Sequence, residues 1–370
     1  MKRLLIGLLL LAAACSETSG TTPDQNGGAG GTGGTGGSGI GNVGTALSVP
    51  VAAGKRTFVS LRTPAVVTPA DGATSTDWDL AFEGLDIYTN SGPSGPGEGG
   101  AFGPHPAEAF LADVAPEGPF VTADETGGAF VDWYAYDGAT HTLWNRYHVY
   151  GIEREERAWK VQVLGYYADV EGAPVSAMYT VRYAEVFAGS VGETVELKGI
   201  DGTAGGPSSP ADVPSECLDL ATGQRTMLTP EAARASNAWD LCFRRAAISV
   251  NGELGGPRGV RAADLDGALT AGEELTALQA KTADTEAPHF AAVGSKELNN
   301  PALVYRGDRV VSAFSDHWLA PDTSPPAPAP ATWLVVGADG ASRFLVTFDG
   351  FEGATSEAPG TVKLRVKAVK

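Results

Sequence analysis

Large apolar side chains alternate with small or polar ones along Trp78-Asp79-Leu80-Ala81-Phe82, the period of a strand with one buried face. The alternation begins again at Trp239-Asp240-Leu241-Cys242-Phe243. In the first copy Gly84 interrupts the run, Leu85, Ile87 and Thr89 resume it, and Asn90-Ser91-Gly92 turns the chain. In the second, Ile248 and Val250 lead to Asn251-Gly252, so both asparagines stand at the same offset from their tryptophan. Asp79 and Asp240 recur with them and are expected to accept hydrogen bonds from backbone. A repeat at this distance is domain-sized and not a solenoid unit, so the pattern predicts two copies of one β body.

Later stretches repeat in the same way. Residues 145–167 and 333–351 each read as a strand pair, and each continues to a last alternating strand, 179–183 and 361–366. Residues 47–61 hold two short β-like runs around Gly54, and residues 107–112 suit one helical turn between prolines. The best helix candidate is 262–282, with Leu265, Leu269, Leu275 and Leu278, although Gly267 and Gly272 interrupt it. Strand periods outnumber helical ones, which predicts an all-β or β-rich fold with antiparallel domains at 47–189 and 190–370.

The N-terminus changes the picture. Met1-Lys2-Arg3 is a basic start and residues 4–14 are an apolar run too short to span a bilayer, as in a signal peptide over 1–14. Cys15 follows Leu11-Ala12-Ala13-Ala14, which resembles a bacterial lipobox and predicts lipidation at Cys15. Membrane attachment would then be through the lipid anchor alone. Ser16 after the cysteine is the residue of outer-membrane sorting, so the expected location is the outer membrane or cell surface. Residues 15–46, rich in Gly, Ser and Thr, read as a flexible linker.

Hydrophobic residues make up 43% of the chain, ample for two cores. The formal net charge is −18, and loss of Lys2 and Arg3 makes the mature chain more acidic still. Such a balance argues against a nucleic-acid partner. Of the three cysteines, Cys217 and Cys242 both lie in the second copy, and strand parity turns both thiols to the more polar side of neighbouring strands. An exported chain allows a disulfide between them, with two free thiols as the alternative. No nucleophile elbow, His-Glu-x-x-His or Cys-x-x-Cys motif occurs, and the reading is that of a non-enzyme. The Gly-Pro run 91–100 lacks the lysine and following helix of a phosphate cradle and reads as a structural loop.

The tryptophan-led strand, its asparagine turn and the run Ser94-Gly95-Pro96-Gly97-Glu98-Gly99-Gly100 resemble the HmuY family of haem-binding surface lipoproteins. The second copy keeps the strand and the asparagine and reads as having a shorter loop. The resemblance implies two tandem HmuY-like domains, haem as cofactor or another small ligand in its place, iron acquisition, and an outer-membrane receptor as partner. It also implies axial ligands from loops. On that basis His289 and His317 are the expected iron ligands, with Trp318 covering the ring, and His105 with His141 the corresponding pair in the first copy. His148, inside a strand, is expected to be structural. The alternative is a non-catalytic surface binding or adhesion scaffold that keeps the fold and has lost haem ligation.

Overall fold

The computed structural model describes residues 43–116, 121–205, 210, 212–315 and 317–370. The segment expected to be a signal peptide, Cys15 and all but the end of the expected linker lie outside them. The chain begins with β1 (Thr45–Val51), β2 (Thr57–Ser60), β3 (Ala65–Val67), β4 (Leu80–Glu83), β5 (Asp86–Thr89) and β6 (Gly100–Pro106). A short strand β7 (Glu125–Gly127) and a hairpin of β8 (Tyr134–Asp137) and β9 (Thr142–Asn145) follow. Next come β10 (Val149–Arg154), β11 (Arg157–Val170), β12 (Ala173–Phe187) and β13 (Ser190–Val191).

The second run of short strands is β14 (Val195–Asp201), β15 (Ser215–Leu218), β16 (Arg225–Leu228), β17 (Leu241–Arg244), β18 (Ala247–Val250) and β19 (Arg261–Asp264), with helix α1 (Pro230–Arg234) before β17. Helices α2 (Leu275–Ala280), α3 (Ala287–Ala292) and α4 (Ser295–Leu298) precede β20 (Arg309–Val311). The chain ends with β21 (Ala331–Val336), β22 (Arg343–Glu352) and β23 (Gly360–Val369). The fold is therefore β-rich and its ladders are antiparallel, as the period-2 alternation predicts.

The strands close into two sandwiches, and each draws on both copies of the repeat. One sandwich faces the sheet β1-β23-β22-β21-β6 with the sheet β3-β2-β4-β5; the other faces β14-β12-β11-β10-β19, in which the two-residue β13 also pairs with β12, with β16-β15-β17-β18. The two strand orders match position for position. We call the first the outer body, since the first and last strands of the described residues form it, and the second the inner body. The expected division at 189/190 falls inside the inner body, because β12 and β14 on either side of it are hydrogen-bonded neighbours from Tyr183↔Val195 to Met178↔Asp201. Likewise β1 does not pair within 47–189 but with β23, from Thr45↔Val366 to Val51↔Gly360. The halves of the tandem repeat thus pair crosswise.

Each sandwich has its own core. Val49, Leu80, Phe82, Trp333, Val346 and Leu364 belong to the outer one. Trp133, Trp159, Val161, Tyr179, Leu241 and Phe243 belong to the inner one. Alternation along β11 sends Trp159 and Val161 into this core while Lys160 and Gln162 face the other side, under the helical segment. There Lys160 Nζ donates to the carbonyls of Phe290 and Val293, both at 2.7 Å, and so holds the end of α3 with a buried cation. The hairpin β11–β12 turns at Glu171 (φ 55°) and Gly172 (φ 84°), the two left-handed residues that a two-residue hairpin loop requires.

The single helix expected at 262–282 does not form. Its first residues are β19, paired with β10 from Tyr150↔Asp264 to Glu153↔Arg261, and Gly267–Gly272 is a 3-10 turn before α2. Sheet pairing and two glycines outweigh the leucine spacing there.

Candidate binding site at the crossover

The tryptophan-led segments have the same geometry in both bodies. The indole Nε1 donates to the carbonyl of Gly72 from Trp78 and of Ala233 from Trp239, each at 2.9 Å. Asn90 Nδ2 donates to Trp78 O at 2.8 Å and Ser75 O at 3.0 Å; Asn251 Nδ2 donates to Trp239 O at 2.9 Å and Ser236 O at 2.8 Å. Their Oδ1 atoms accept from Gly97 N at 2.9 Å and Arg258 N at 3.1 Å. The two loops are therefore of equal length, against the expectation that the second is shorter; its differing composition hides the match. Gly95 and Gly256 are corresponding positions, since a Cβ at either would stand 2.2 Å from the asparagine Oδ1.

Asp79 and Asp240 act as backbone acceptors, as expected. Asp79 takes Leu61 N at 2.7 Å and Ala338 N at 2.9 Å. Asp240 takes Leu220 N at 2.7 Å but fills its other oxygen with Arg154, beside Arg258 and Asp219. These motifs close the fold, and no reacting group emerges from them.

The chain passes between bodies at β7 and β20, which pair with each other: Arg309↔Gly127, Val310↔Thr126, Val311↔Glu125. Immediately before each strand stands a buried aspartate, Asp124 and Asp308. Each carboxylate accepts the backbone N–H at the end of a tryptophan-motif hairpin, Thr89 N to Asp124 and Val250 N to Asp308, both at 3.1 Å. Asp124 also accepts from Thr89 Oγ1 at 2.9 Å, Ser94 Oγ at 2.5 Å and Ala313 N at 3.0 Å. Asp308 lacks these donors, because Val250 and Gly255 stand where the outer body has Thr89 and Ser94.

Asp308 Oδ1 is buried and has no hydrogen-bond partner, alone among the carboxylate oxygens of the described residues. Burial pushes its carboxyl up to about 7; the charge of Glu253 adds to this, while Val250 N–H and the Ser249 hydroxyl pull the other way. Burial also raises Asp124, against its several donors.

Two cavities flank the ribbon and share Gly127, Gly128 and Val311. One, of about 150 Å³, is lined by Phe130, Tyr134 and Ile248. The other, of about 290 Å³, is lined by Ala262, Asp264, Val304, Arg306 and Arg309. A Cβ placed on Gly128 would lie 2.8 Å from Asp308 Oδ1, so the Gly128 backbone packs directly over that oxygen, and Asp308 lines neither cavity. Asp264 is already engaged, by His148 Nδ1 at 2.8 Å and by Asp266 N at 2.8 Å. Among the described residues neither Arg306 nor Arg309 forms an ion pair, though Arg309 draws on Asp86 at longer range.

The histidines expected to hold iron divide between the bodies. His289 lies on α3 of the inner body, with Nε2 on Asp266 Oδ2 at 2.8 Å. His317 is exposed beside Trp318, and Trp318 is a core residue of the outer body, fully buried against Phe82, Phe348 and Phe351 with its Nε1 on Leu85 O. Its ring offers no open face. His105, on β6 of the outer body, packs edge-on to Phe102 and has a buried Nε2 without a partner, and burial lowers its pKa. His141 sits in the β8–β9 turn of the inner body with Nδ1 2.6 Å from the Tyr136 hydroxyl. Each pair thus has one member on each body, and among the described residues no group of three or more His, Cys, Asp or Glu side chains could hold a metal ion.

His148 is structural, as its place in the sequence suggests. Its ring joins Asp264 and Glu273, with Nε2 3.0 Å from Glu273 Oε2, and Glu273 also binds Arg146 and Lys281. Burial works against the charged ring, but these carboxylates prevail and raise its pKa. Cys217 and Cys242 are Cα partners across β15 and β17 and lie at disulfide-bonding distance, as the strand parity suggested. No family model matches the chain, and a comparison with curated proteins gives no significant match.

Proposed function

We propose that the mature chain is an exported binding protein, lipid-anchored through Cys15 at the outer membrane or cell surface, which holds a ligand or partner without transforming it. This is the scaffold form of the HmuY-like reading, with haem ligation by paired histidines lost. The observation that carries it is the division of His289 from His317 and of His105 from His141 between two bodies, with the Trp318 ring sealed in a core. A flat ring clamped by two axial imidazoles needs both ligands at one site. The tethered, acidic, two-sandwich architecture suits display of a surface to another molecule, an outer-membrane receptor among the candidates.

One observation favours haem capture as a second reading. His105 has an Nε2 without a hydrogen-bond partner, and burial lowers its pKa, toward the unprotonated imidazole that ligates iron. Titration of the mature protein with ferric haem separates the two. The scaffold reading expects no Soret shift that depends on histidine. A stoichiometric shift abolished by His105→Ala, or by His289→Ala and His317→Ala, would replace it with haem capture. Display is tested separately, since Cys15→Ser should move the protein from the membrane fraction to the soluble exported fraction.

A further inference from the structure

One part of the inner body has no equivalent in the outer body. Among the described residues the path from β6 to β7 holds one 3-10 turn, Ala107–Leu111, whereas the corresponding path from β19 to β20 holds a 3-10 turn and then α2, α3 and α4. This helical segment lies over β10–β12 on the side away from the main core, where Phe290, Val293 and Leu298 pack against Val149, Ala184 and Val186. Polar groups fasten the rest of it. Leu265 N donates to Val149 O at 3.0 Å and Val149 N to Asp266 Oδ2 at 2.8 Å. Lys281 Nζ donates to Arg146 O at 2.9 Å, and Arg182 Nη1 to Ala283 O at 3.2 Å.

His148 stands at the centre of this attachment, 2% exposed, between carboxylates from two parts of the chain. Nδ1 is 2.8 Å from Asp264 Oδ2 on β19, and Nε2 is 3.0 Å from Glu273 Oε2 before α2. A neutral imidazole has one N–H and one lone pair, so it can serve only one of the two acceptors; the imidazolium serves both. Neither carboxylate is free to turn away. Asp266 N holds Asp264 Oδ1 at 2.8 Å, and Arg146 Nη1 and Lys281 Nζ hold Glu273 at 2.9 and 2.7 Å. Burial works to raise the Glu273 carboxyl, but Lys281 and Arg146 outweigh it and keep the group below the usual carboxylate range, so Glu273 stays ionised while the ring titrates. The other titratable groups around the ring are Asp266, which His289 joins from α3 at 2.8 Å, and Tyr150, whose ring centroid is 6.5 Å away. Loss of the imidazolium proton therefore sets a buried lone pair against a pinned carboxylate.

We infer that His148 with Asp264 and Glu273 is a pH-sensitive latch: the helical segment stays docked on β10 while the ring is an imidazolium and loosens as the ring loses its proton. The inference is independent of what the chain binds. Burial lowers the pKa of the ring, but Asp264, Glu273 and Asp266 together raise it above the ordinary 6.5. The contribution to docking is complete below 6.5 and is lost as pH rises through the folded-state value. Loosening uncovers Lys160 and Arg182, two buried cations that carbonyls of the segment hold in the docked state.

The test uses the full mature protein between about pH 6 and 9. NMR follows the His148 ring, and hydrogen exchange, corrected for the intrinsic pH dependence of amide exchange, follows α2 and α3. The ring should titrate above 6.5, and each pH unit by which it does so should appear as about a tenfold loss of protection in α2 and α3. Strands β22 and β23 of the outer body should keep their protection throughout. Glu273→Gln offers the neutral ring a donor in place of an acceptor, so its segment should stay protected at high pH and lose most of the pH response. His148→Gln should show the weakened attachment at both ends of the range. A ring that titrates at or below 6.5, protection in α2 and α3 that does not change with pH, an equal loss in β22 and β23, or a Glu273→Gln protein that responds to pH as the native one does would each overturn the inference.

Discussion

Thr126 and Val310 face each other at the centre of the ribbon between the two bodies, and they are the same position of the two repeats. Counting from Asp124 and Asp308, the pairs Glu125↔Val311, Thr126↔Val310 and Gly127↔Arg309 map onto themselves when the repeats are exchanged. A strand that pairs with its own duplicate in this way lies on a local two-fold axis. The first copy enters the inner body through β7, and the second returns to the outer body through β20. The chain thus has the arrangement of a swapped dimer fused into one polypeptide.

This arrangement makes the fate of a cut chain informative. Ala188 and Gly189 form an exposed turn between β12 and β13, and a protease site inserted there splits the chain near the repeat boundary. Each fragment would carry strands of both bodies, six of one sandwich and three of the other. The nicked protein should elute from a sizing column at the position of the intact chain and come apart only in denaturant. Two fragments separating in native buffer would show that each repeat closes on itself.

The repeat was legible in sequence because Trp78 and Trp239, with Asn90 and Asn251, carry local chemistry that recurs at fixed spacing. The partner of each half was not. β1 could alternate equally well against the last strand of its own repeat or against β23, since both present the same period on one face. What decides is the path of the connectors through β7 and β20, three-residue strands too short to carry a period of their own. The same holds for the site. A buried carboxylate deprived of its donors is visible only by setting Asp308 against Asp124, and that requires knowing that Val250 and Gly255 take the places of Thr89 and Ser94. The placement of the histidines was not legible for a related reason: loop position along the chain does not say which body a loop joins.

Asp308 should make stability depend on pH. Its carboxyl titrates near 7 in the folded chain and near 3.8 when unfolded, with burial the main cause and Glu253 the charged neighbour that reinforces it. Between these values the folded state holds a proton that the unfolded state has released, so stability falls as pH rises from about 4 to 7 and then levels off. Asp308→Asn keeps an acceptor for Val250 N–H and removes the titration. It should stabilise the protein at pH 8 on the order of 2–4 kcal/mol and change little at pH 4. Denaturant melts at the two pH values measure this, and equal effects at both would show that Asp308 does not titrate in this range.

The asparagine clamps should behave alike in the two bodies. Asn90 and Asn251 are fully buried, and each joins two carbonyls and one backbone N–H across its loop. Replacing either by Ala should cost about 2–4 kcal/mol, since three backbone groups lose their partner. Replacement by Asp should cost at least as much, because the acceptor survives but the two donated bonds do not. Urea melts of the four variants check the expectation. A tolerated Asp would mean that the Nδ2 bonds contribute little.

The bond between Cys217 and Cys242 should stabilise the inner body in particular. The cysteines are 25 residues apart in sequence, and they lie against Trp239, Leu228 and Ala233 on the side of the β15–β17 pair away from the main core. Closing a loop of that length restricts the unfolded chain by about 3 kcal/mol on the chain-entropy account. The paired strands have their own ladder at Leu218↔Leu241, so removing the bond should lower stability without dissolving the sheet. Cys217→Ser with Cys242→Ser should therefore yield a folded protein that unfolds earlier in denaturant, with hydrogen exchange accelerated at β15 and β17 and unchanged in β1 and β23 of the outer body. Equal acceleration in both bodies would show that they unfold as one unit, as the crossed pairing allows, and would place the effect of the bond in the whole fold instead of in one sandwich.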